Sequence, residues 1–284
     1  MEERTFDWKT NDGIRIFARE WAPKSPKGAI CLVHGLGEHI GRYEHFAHYY
    51  TKKGFSVLGY DRRGHGQSGG KRGHAPNIGL LLDEIAQLLV ETKVRYGGLP
   101  VFLYGHSMGG NLVLSYVLKR HPDVQGVVAS APWIRLAFPA PQFKVALGKV
   151  MKSIFPGFSQ SNGLKTEHLS KDPDVVRLYE QDLLTHDRIT AAMGIGMLEQ
   201  ANWLDNFSGH FPCPLLLMHG SEDHIVSPEG SRDFSRRAQG EVTYREWEGL
   251  YHEIHNEREQ QEVFDFTLHW LQGHMEMKSK LKTA

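Results

Sequence analysis

The sequence predicts an α/β fold, a mostly parallel sheet flanked by helices and interrupted by a helical insertion. Three observations predict it. From Ala29 onward, short apolar runs alternate with longer helix-like runs. That alternation calls for parallel strands joined by crossover helices, with both sheet faces covered. Between Pro132 and Phe211 the rhythm breaks, and it resumes at Pro214-Leu215-Leu216-Leu217-Met218. At the passage from one strand to one helix stands Gly105-His106-Ser107-Met108-Gly109.

The elements follow in order. Arg4–Lys9 and Ile14–Trp21 read as strands joined at Asn11-Asp12-Gly13, a turn that makes an antiparallel edge hairpin. Ala29–Val33 and Phe55–Tyr60 are strands, with a helix over Tyr43–Lys53 between them. A helix over Ile78–Tyr96 leads to a strand at Val101–Tyr104, a helix over Asn111–Arg120 and a strand at Val124–Ala129. After the break come strands at Leu215–Met218 and Val242–Trp247, with helices over Ser227–Ala238 and Glu257–Leu271. The break is opened by Phe138-Pro139-Ala140-Pro141 and interrupted by Phe155-Pro156-Gly157-Phe158. It is too long for a loop and too apolar for disorder, so it reads as a helical cap. The expected division is a core over 1–131 and 211–284 and a cap over 132–210. Only the tail, Met275–Ala284, reads as frayed.

A chain of 284 residues can bury a full core. Lys plus Arg and Asp plus Glu both number 33, so no net field draws nucleic acid to it. The charged start, Met1-Glu2-Glu3-Arg4, lacks an apolar leader, and no apolar segment reaches bilayer length. A cytoplasmic protein is expected. Cys31 and Cys213 abut strand-like runs and read as packing residues rather than a disulfide framework.

The Gly-x-Ser-x-Gly gives the chemistry its starting point. A serine on so sharp a strand-to-helix turn is tolerable only if the residues two before and two after it lack side chains. Ser107 is thus the candidate nucleophile. The chain order Ser, Asp, His is that of the α/β-hydrolase architecture. Asp223, in Gly220-Ser221-Glu222-Asp223, follows one strand, and His252, in Glu248-Gly249-Leu250-Tyr251-His252, follows the next. Both stand at strand C-terminal ends, where such folds gather ligands. Glu222 and His255 are the rivals for acid and base. Oxyanion donors are expected from the backbone N–H of Met108 and from the loop Val33-His34-Gly35-Leu36-Gly37, where Leu36 is the candidate. His34 reads as a brace for that loop. No metal site is expected, because neither His34 with His39 nor His252 with His255 is joined by further ligands. No nucleotide fingerprint is present, and no cofactor is expected.

These residues resemble a particular family. His34-Gly35-Leu36-Gly37-Glu38-His39 continues to Gly41-Arg42-Tyr43, and Asp61-Arg62-Arg63-Gly64-His65-Gly66-Gln67-Ser68 follows the next strand. With Gly105–Gly110, Gly220–Asp223 and Glu248–His255, this series resembles the monoacylglycerol lipases and related lysophospholipase-like serine hydrolases, over roughly Phe6 to Leu271. The resemblance implies an eight-stranded sheet under a helical cap and hydrolysis of a single acyl ester of glycerol without a cofactor. It implies the triad Ser107, Asp223 and His252, and oxyanion donors Leu36 and Met108. It places Arg42, His255 and Tyr179 at a polar end of the pocket, facing the glycerol head, and has Glu38 hold the loop. The cap cysteines of the mammalian members have no counterpart here.

The expected partner is a small lipid, a monoacylglycerol. Gln142–Phe155 carries Phe143, Ala146, Leu147, Val150 and Ile154 at helical spacing, widened by Val145 and Met151. A face that wide needs a second partner besides the core, an acyl channel or a lipid surface, so transient contact of the cap with a membrane is also expected. The rival reading with the same triad is a lysophospholipase or general carboxylesterase. A peptidase is disfavoured, since no acidic feature is evident to anchor a free amino terminus.

Overall fold

The structure is a computed structural model describing residues 1–138 and 141–275. Residues 139–140 at the expected cap entrance, and the expected frayed tail beyond Met275, lie outside the described residues. One sheet contains β1 (Glu2–Lys9), β2 (Arg15–Ala22), β3 (Gly28–Val33), β4 (Phe55–Tyr60), β5 (Val101–His106), β6 (Gly126–Ser130), β7 (Leu215–Gly220) and β8 (Val242–Trp247). Their order is β1-β2-β4-β3-β5-β6-β7-β8. β1 pairs antiparallel with β2, Glu2 opposite Ala22 and Lys9 opposite Arg15, and β2 pairs antiparallel with β4. The other pairs are parallel. The hairpin turns through Gly13 at φ +83°, a left-handed conformation that suits glycine.

The period-2 alternation of β3 sorts its residues between two cores. Ala29, Cys31 and Val33 pack with Leu81, Ile85 and Leu112. Those partners lie on α2 (Ile78–Tyr96) and α3 (Met108–Arg120). Ile30 and Leu32 pack with Phe46, Tyr50 and Leu271. These belong to α1 (Glu44–Lys52) and to the last helix (Gln260–Met275). Every β3 residue is buried, as a central parallel strand requires.

The insertion contains α4 (Gln142–Ile154), α5 (Pro173–Gln181) and α6 (Ala191–Asp205). It also holds a small antiparallel pair, Ser159–Ser161 with Arg188–Thr190, which polar composition hid from the sequence reading. α6 packs against α3 on one side and α4 on the other. Gly148 lets α4 lie close, since a Cβ there would sit 2.9 Å from Ile195 Cδ1. No α4 side chain is fully buried, and Phe143 and Ile154 are 70 % and 76 % exposed. The remaining α-helices of the described residues are α7 (Pro228–Arg237) and α8 (Gln260–Met275). Among the described residues no helix is long and apolar enough to cross a membrane.

α3 begins at Met108, three residues earlier than the sequence suggested. Two glycines of low helix propensity, Gly109 and Gly110, mask its first turn. Both flanking glycines of the turn are sterically required. A Cβ at Gly105 would lie 2.4 Å from Gly109 O, and one at Gly109 would lie 2.0 Å from Val33 O. The contacted atoms are backbone and cannot rotate away. Gly109→Ala should therefore destabilise the fold by about 1–3 kcal/mol or more, the cost of overpacking. Urea unfolding checks this, and a midpoint equal to that of the parent chain would refute it.

Candidate active site

The strand ends bring the site together. Ser107 has φ +53° and ψ −117°, a strained conformation for a residue with a Cβ. Its N–H donates to Ser130 O at 3.0 Å, and its carbonyl accepts from Asn111 N at 3.0 Å and Trp133 N at 2.9 Å. The surrounding backbone thus over-determines the strained turn. Met108 opens α3, where helix amides lack intrahelical partners and the helix dipole favours negative charge. Leu36 shares with Ser107 the wall of a cavity of about 370 Å³.

The acid and histidine loops are fastened to each other by backbone. A Cβ at Gly220 would fall 2.3 Å from both Leu250 O and Tyr251 O, so only glycine permits the approach. Ser221 N donates to Trp247 O at 2.9 Å, and Glu222 N to Leu250 O at 3.0 Å. Asp223 Oδ2 lies 2.6 Å from His252 Nδ1, both side chains buried. Glu222, the rival acid, is exposed. Asp223 Oδ1 accepts from Ile225 N at 2.8 Å and Val226 N at 3.0 Å.

A second histidine shares the same carboxylate, and sequence reasoning missed it. His219 Nε2 lies 3.0 Å from Asp223 Oδ2 and 3.2 Å from Val226 O. Both partners only accept, so Nε2 carries the proton. His219 Nδ1 lies 2.7 Å from Ser231 Oγ. Burial would push the Asp223 carboxyl up, but His252 and His219 hold it well below the usual carboxylate range. Burial likewise pulls the His252 imidazole down, but the charge and hydrogen bond of Asp223, joined by the charges of Glu253 and Glu38, together outweigh it and raise the group above its ordinary value.

Arg42 and Tyr179 meet in a polar cluster beside the Leu36 loop. Arg42 clasps Glu253 through two hydrogen bonds of 2.7 Å and donates to Glu38 at 2.8 Å. Its guanidinium lies 4.8 Å from the Tyr179 ring centre, and Tyr179 OH donates to Gly37 O at 3.2 Å. Glu38 also accepts from Gly35 N and from Tyr43 OH. Burial opposes ionisation of Glu253, but the paired Arg42 charge brings it down to about 2. Glu253, inside the Tyr251–His255 motif, went unnoticed because nothing local marks a partner 211 residues away. His255 is fully buried, stacked on Tyr43 at 4.9 Å and set against His106 at 4.7 Å, with neither ring nitrogen hydrogen-bonded among the described residues. Burial brings its pKa down to about 3. None of Arg42, Tyr179 and His255 lines the cavity. Arg42 is turned to Glu38 and Glu253, Tyr179 OH to Gly37 O, and His255 lies against His106, whose ring also touches His252 at 4.7 Å.

The cavity wall is mostly apolar, with Trp133, Leu136, Val145, Ile195 and Val226. Lys144 is its one charged residue among the described residues.

An eight-stranded sheet under a helical cap, with a strained serine at a strand-to-helix turn, defines an α/β-hydrolase. The chain belongs to the hydrolase family described as serine aminopeptidase, S33, which matches residues 24–259, and within it to the group of the monoacylglycerol lipases. A monoacylglycerol lipase of Mycolicibacterium smegmatis is 32 % identical over 93 % of this chain and 95 % of its own length. The crystal structure of Paleococcus ferrophilus monoacylglycerol lipase superposes with a TM-score of 0.84 at 36 % identity, covering 91 % of this chain and 99 % of that one. An uncharacterised abhydrolase domain-containing protein of Dictyostelium discoideum is 37 % identical over 94 % of this chain, which spans 29 % of that protein's length.

The raised His252 pKa has a sign that can be measured. For the candidate base His252 to act it must be unprotonated, so kcat/KM should fall as pH drops through a value above the ordinary imidazole pKa of about 6.5. Asp223→Asn removes the charge that raises it, so the acid limb should move down while kcat falls by about 10⁴. A pH–rate profile of both enzymes checks this, and an unmoved limb would contradict the coupling.

Proposed function

We propose that this protein is a serine carboxylic-ester hydrolase that cleaves monoacylglycerols to fatty acid and glycerol through an acyl-enzyme. The observation carrying the proposal is the 2.6 Å pair of Asp223 and His252, whose imidazole lies 4.7 Å from the ring of His106, the residue before Ser107; Ser107 itself lines an apolar cavity. Ser107 Oγ attacks the ester carbonyl and passes its proton to His252, whose Nδ1–H is held by Asp223. The N–H groups of Leu36 and Met108 take the developing oxyanion, aided by the α3 dipole. His252 returns the proton to the leaving glycerol oxygen. Water then repeats the cycle on the acyl-enzyme, with His252 again as base.

The apolar wall supports an acyl chain as the occupant. The described wall carries no carboxylate to meet the ammonium group of a peptide. Arg42, Tyr179 and His255 are proposed at the glycerol end, beside the loop from which the head group departs. Arg42 and Tyr179 act there through the loop: Tyr179 OH holds Gly37 O, and Arg42 holds Glu38, which holds Gly35 N. Lys144 on the wall favours one second reading, a lysophospholipid whose phosphate it would meet.

Ser107→Ala should lower ester turnover by at least about 10⁴ while leaving the chain folded. A fluorophosphonate should modify Ser107 in the parent chain. Turnover should rank monoacylglycerol above lysophosphatidylcholine of equal acyl length. Full activity in the folded Ala variant would end the proposal, and faster turnover of lysophosphatidylcholine would install the second reading.

Transient docking of α4 on a membrane is part of the proposal, motivated by the outward Phe143, Leu147, Val150 and Ile154. Phe143→Ser with Ile154→Ser should weaken sedimentation with phosphatidylcholine vesicles and spare hydrolysis of a soluble short-chain ester. Unchanged vesicle binding would remove this element.

A further inference from the structure

Arg62, in the loop after β4, is fully buried and has no part in the reading above. Its neighbour Arg63 pairs with Glu84 and Asp12. Among the described residues Arg62 has no such ion pair. Its Nη2 donates to the carbonyl oxygen of Gly35, and its Nε and Nη1 have no partner among the described residues. A cation taken out of water without a carboxylate partner is costly, and this one is directed at the Gly35 carbonyl, its Nη2 also lying 3.3 Å from His34 Nδ1.

His34 converges on the same oxygen. The backbone N–H of Arg62 donates to His34 Nε2 at 3.0 Å. Nε2 is therefore the bare nitrogen, and Nδ1 carries the proton. Nδ1 lies 2.8 Å from Gly35 O and donates to it. Burial first, and the Arg62 charge second, keep this imidazole neutral by lowering its pKa well below the ordinary value. Gly35 O thus receives one neutral and one cationic donor. That oxygen belongs to the same planar peptide unit as the Leu36 N–H. Drawing electron density to the oxygen leaves the N–H more positive, and such polarisation strengthens the bond it donates. The preceding amide, Gly35 N–H, is held by Glu38.

We propose that Arg62, together with His34, clamps the Gly35–Leu36 peptide so that the Leu36 N–H is both aimed and polarised as an oxyanion donor. Arg62 is then a positioning residue that never touches substrate. The inference rests on the hydrolase reading, because an oxyanion donor has a task only where an acyl group is transferred.

Two variants, Arg62→Gln and Arg62→Lys, test it against a trifluoromethyl ketone, which forms an oxyanion on the serine, and against free fatty acid, which does not. Removing a whole oxyanion donor costs about 10²–10³ in kcat, so weakening one should cost about 10–100-fold in the Gln variant. KM should stay nearly constant, ketone affinity should fall by the same factor as kcat, and fatty-acid affinity should hold. Lys, which restores a charged donor, should recover part of the loss. An unchanged kcat and ketone affinity in a folded variant overturns the proposal, as does an equal loss of fatty-acid affinity.

A second measurement needs no variant at Arg62. Glycine labelled with ¹³C at its carbonyl, combined with ¹⁵N-leucine, selects the five Gly–Leu peptide units at Gly35, Gly79, Gly98, Gly163 and Gly249. Loss of one signal in Leu36→Met assigns Gly35. Its carbonyl should be the most deshielded of the five, and a place among the other four overturns the clamp. This readout does not depend on turnover. If the parent chain cleaved no ester, the hydrolase reading would fail while the carbonyl shift still decided the clamp.

Discussion

The site depends on one close approach, the backbone of α3 against the end of β3. A Cβ at Gly109 would lie 2.0 Å from Val33 O and 2.6 Å from His34 O, so the two chains are nearer than any side chain allows. β3 and β5 are parallel neighbours. Their C-terminal loops consequently leave the sheet side by side, one carrying Leu36 and the other Ser107 and Met108. The strain at Ser107 is a consequence of this arrangement. The chain must reverse from strand to helix within one residue to bring α3 so close, and the amides and carbonyls that bind the turn hold it there.

The other half of the site repeats the device. Gly220 lets the acid loop lie on the carbonyls of Leu250 and Tyr251, and this fixes Asp223 against His252 more firmly than two long side chains could. Around both halves, charge is placed by burial and answered locally. Asp223 is met by two histidines and two amides, and Glu253 by the two-pronged Arg42. Each of these groups would be expensive alone in the interior. Together they leave the serine loop little freedom to relax.

Much of this was legible in the sequence because it is written locally. Alternating apolar runs gave the strands, and Asn11-Asp12-Gly13 gave the edge hairpin. Glycines at 105 and 109 marked a turn whose steric need the structure explains. β6 begins at Gly126 and not at Val124, since the backbone N–H of Val124 is taken by Pro122 O. What was not legible is tertiary. Nothing local marks the roles of Glu253, His219, Ser231 and Arg62, even where a motif contains the residue, because each gains its meaning from a partner that the fold delivers. α6 shows a related failure. It has apolar residues on every side, since α3 and α4 cover it from opposite directions, and a helix buried on both flanks loses the single stripe that reveals amphipathic ones. The residues proposed for the glycerol end show the converse. Motif position located Arg42 and Tyr179 together, but could not reveal that two carboxylates occupy the arginine.

The loose seating of α4 has an evolutionary consequence. This helix supplies Lys144, Val145 and Gly148 to the chamber wall, yet buries none of its side chains completely. The residues that shape the chamber are thus largely separate from those that secure the sheet. Exchanging Val145 for a larger or smaller residue alters the room available to a guest while touching neither β3 nor α3. Selectivity can drift quickly in such a molecule, since variants along one peripheral helix are sampled without jeopardising the folded state. The chemistry, locked between backbones that tolerate only glycine, stays put.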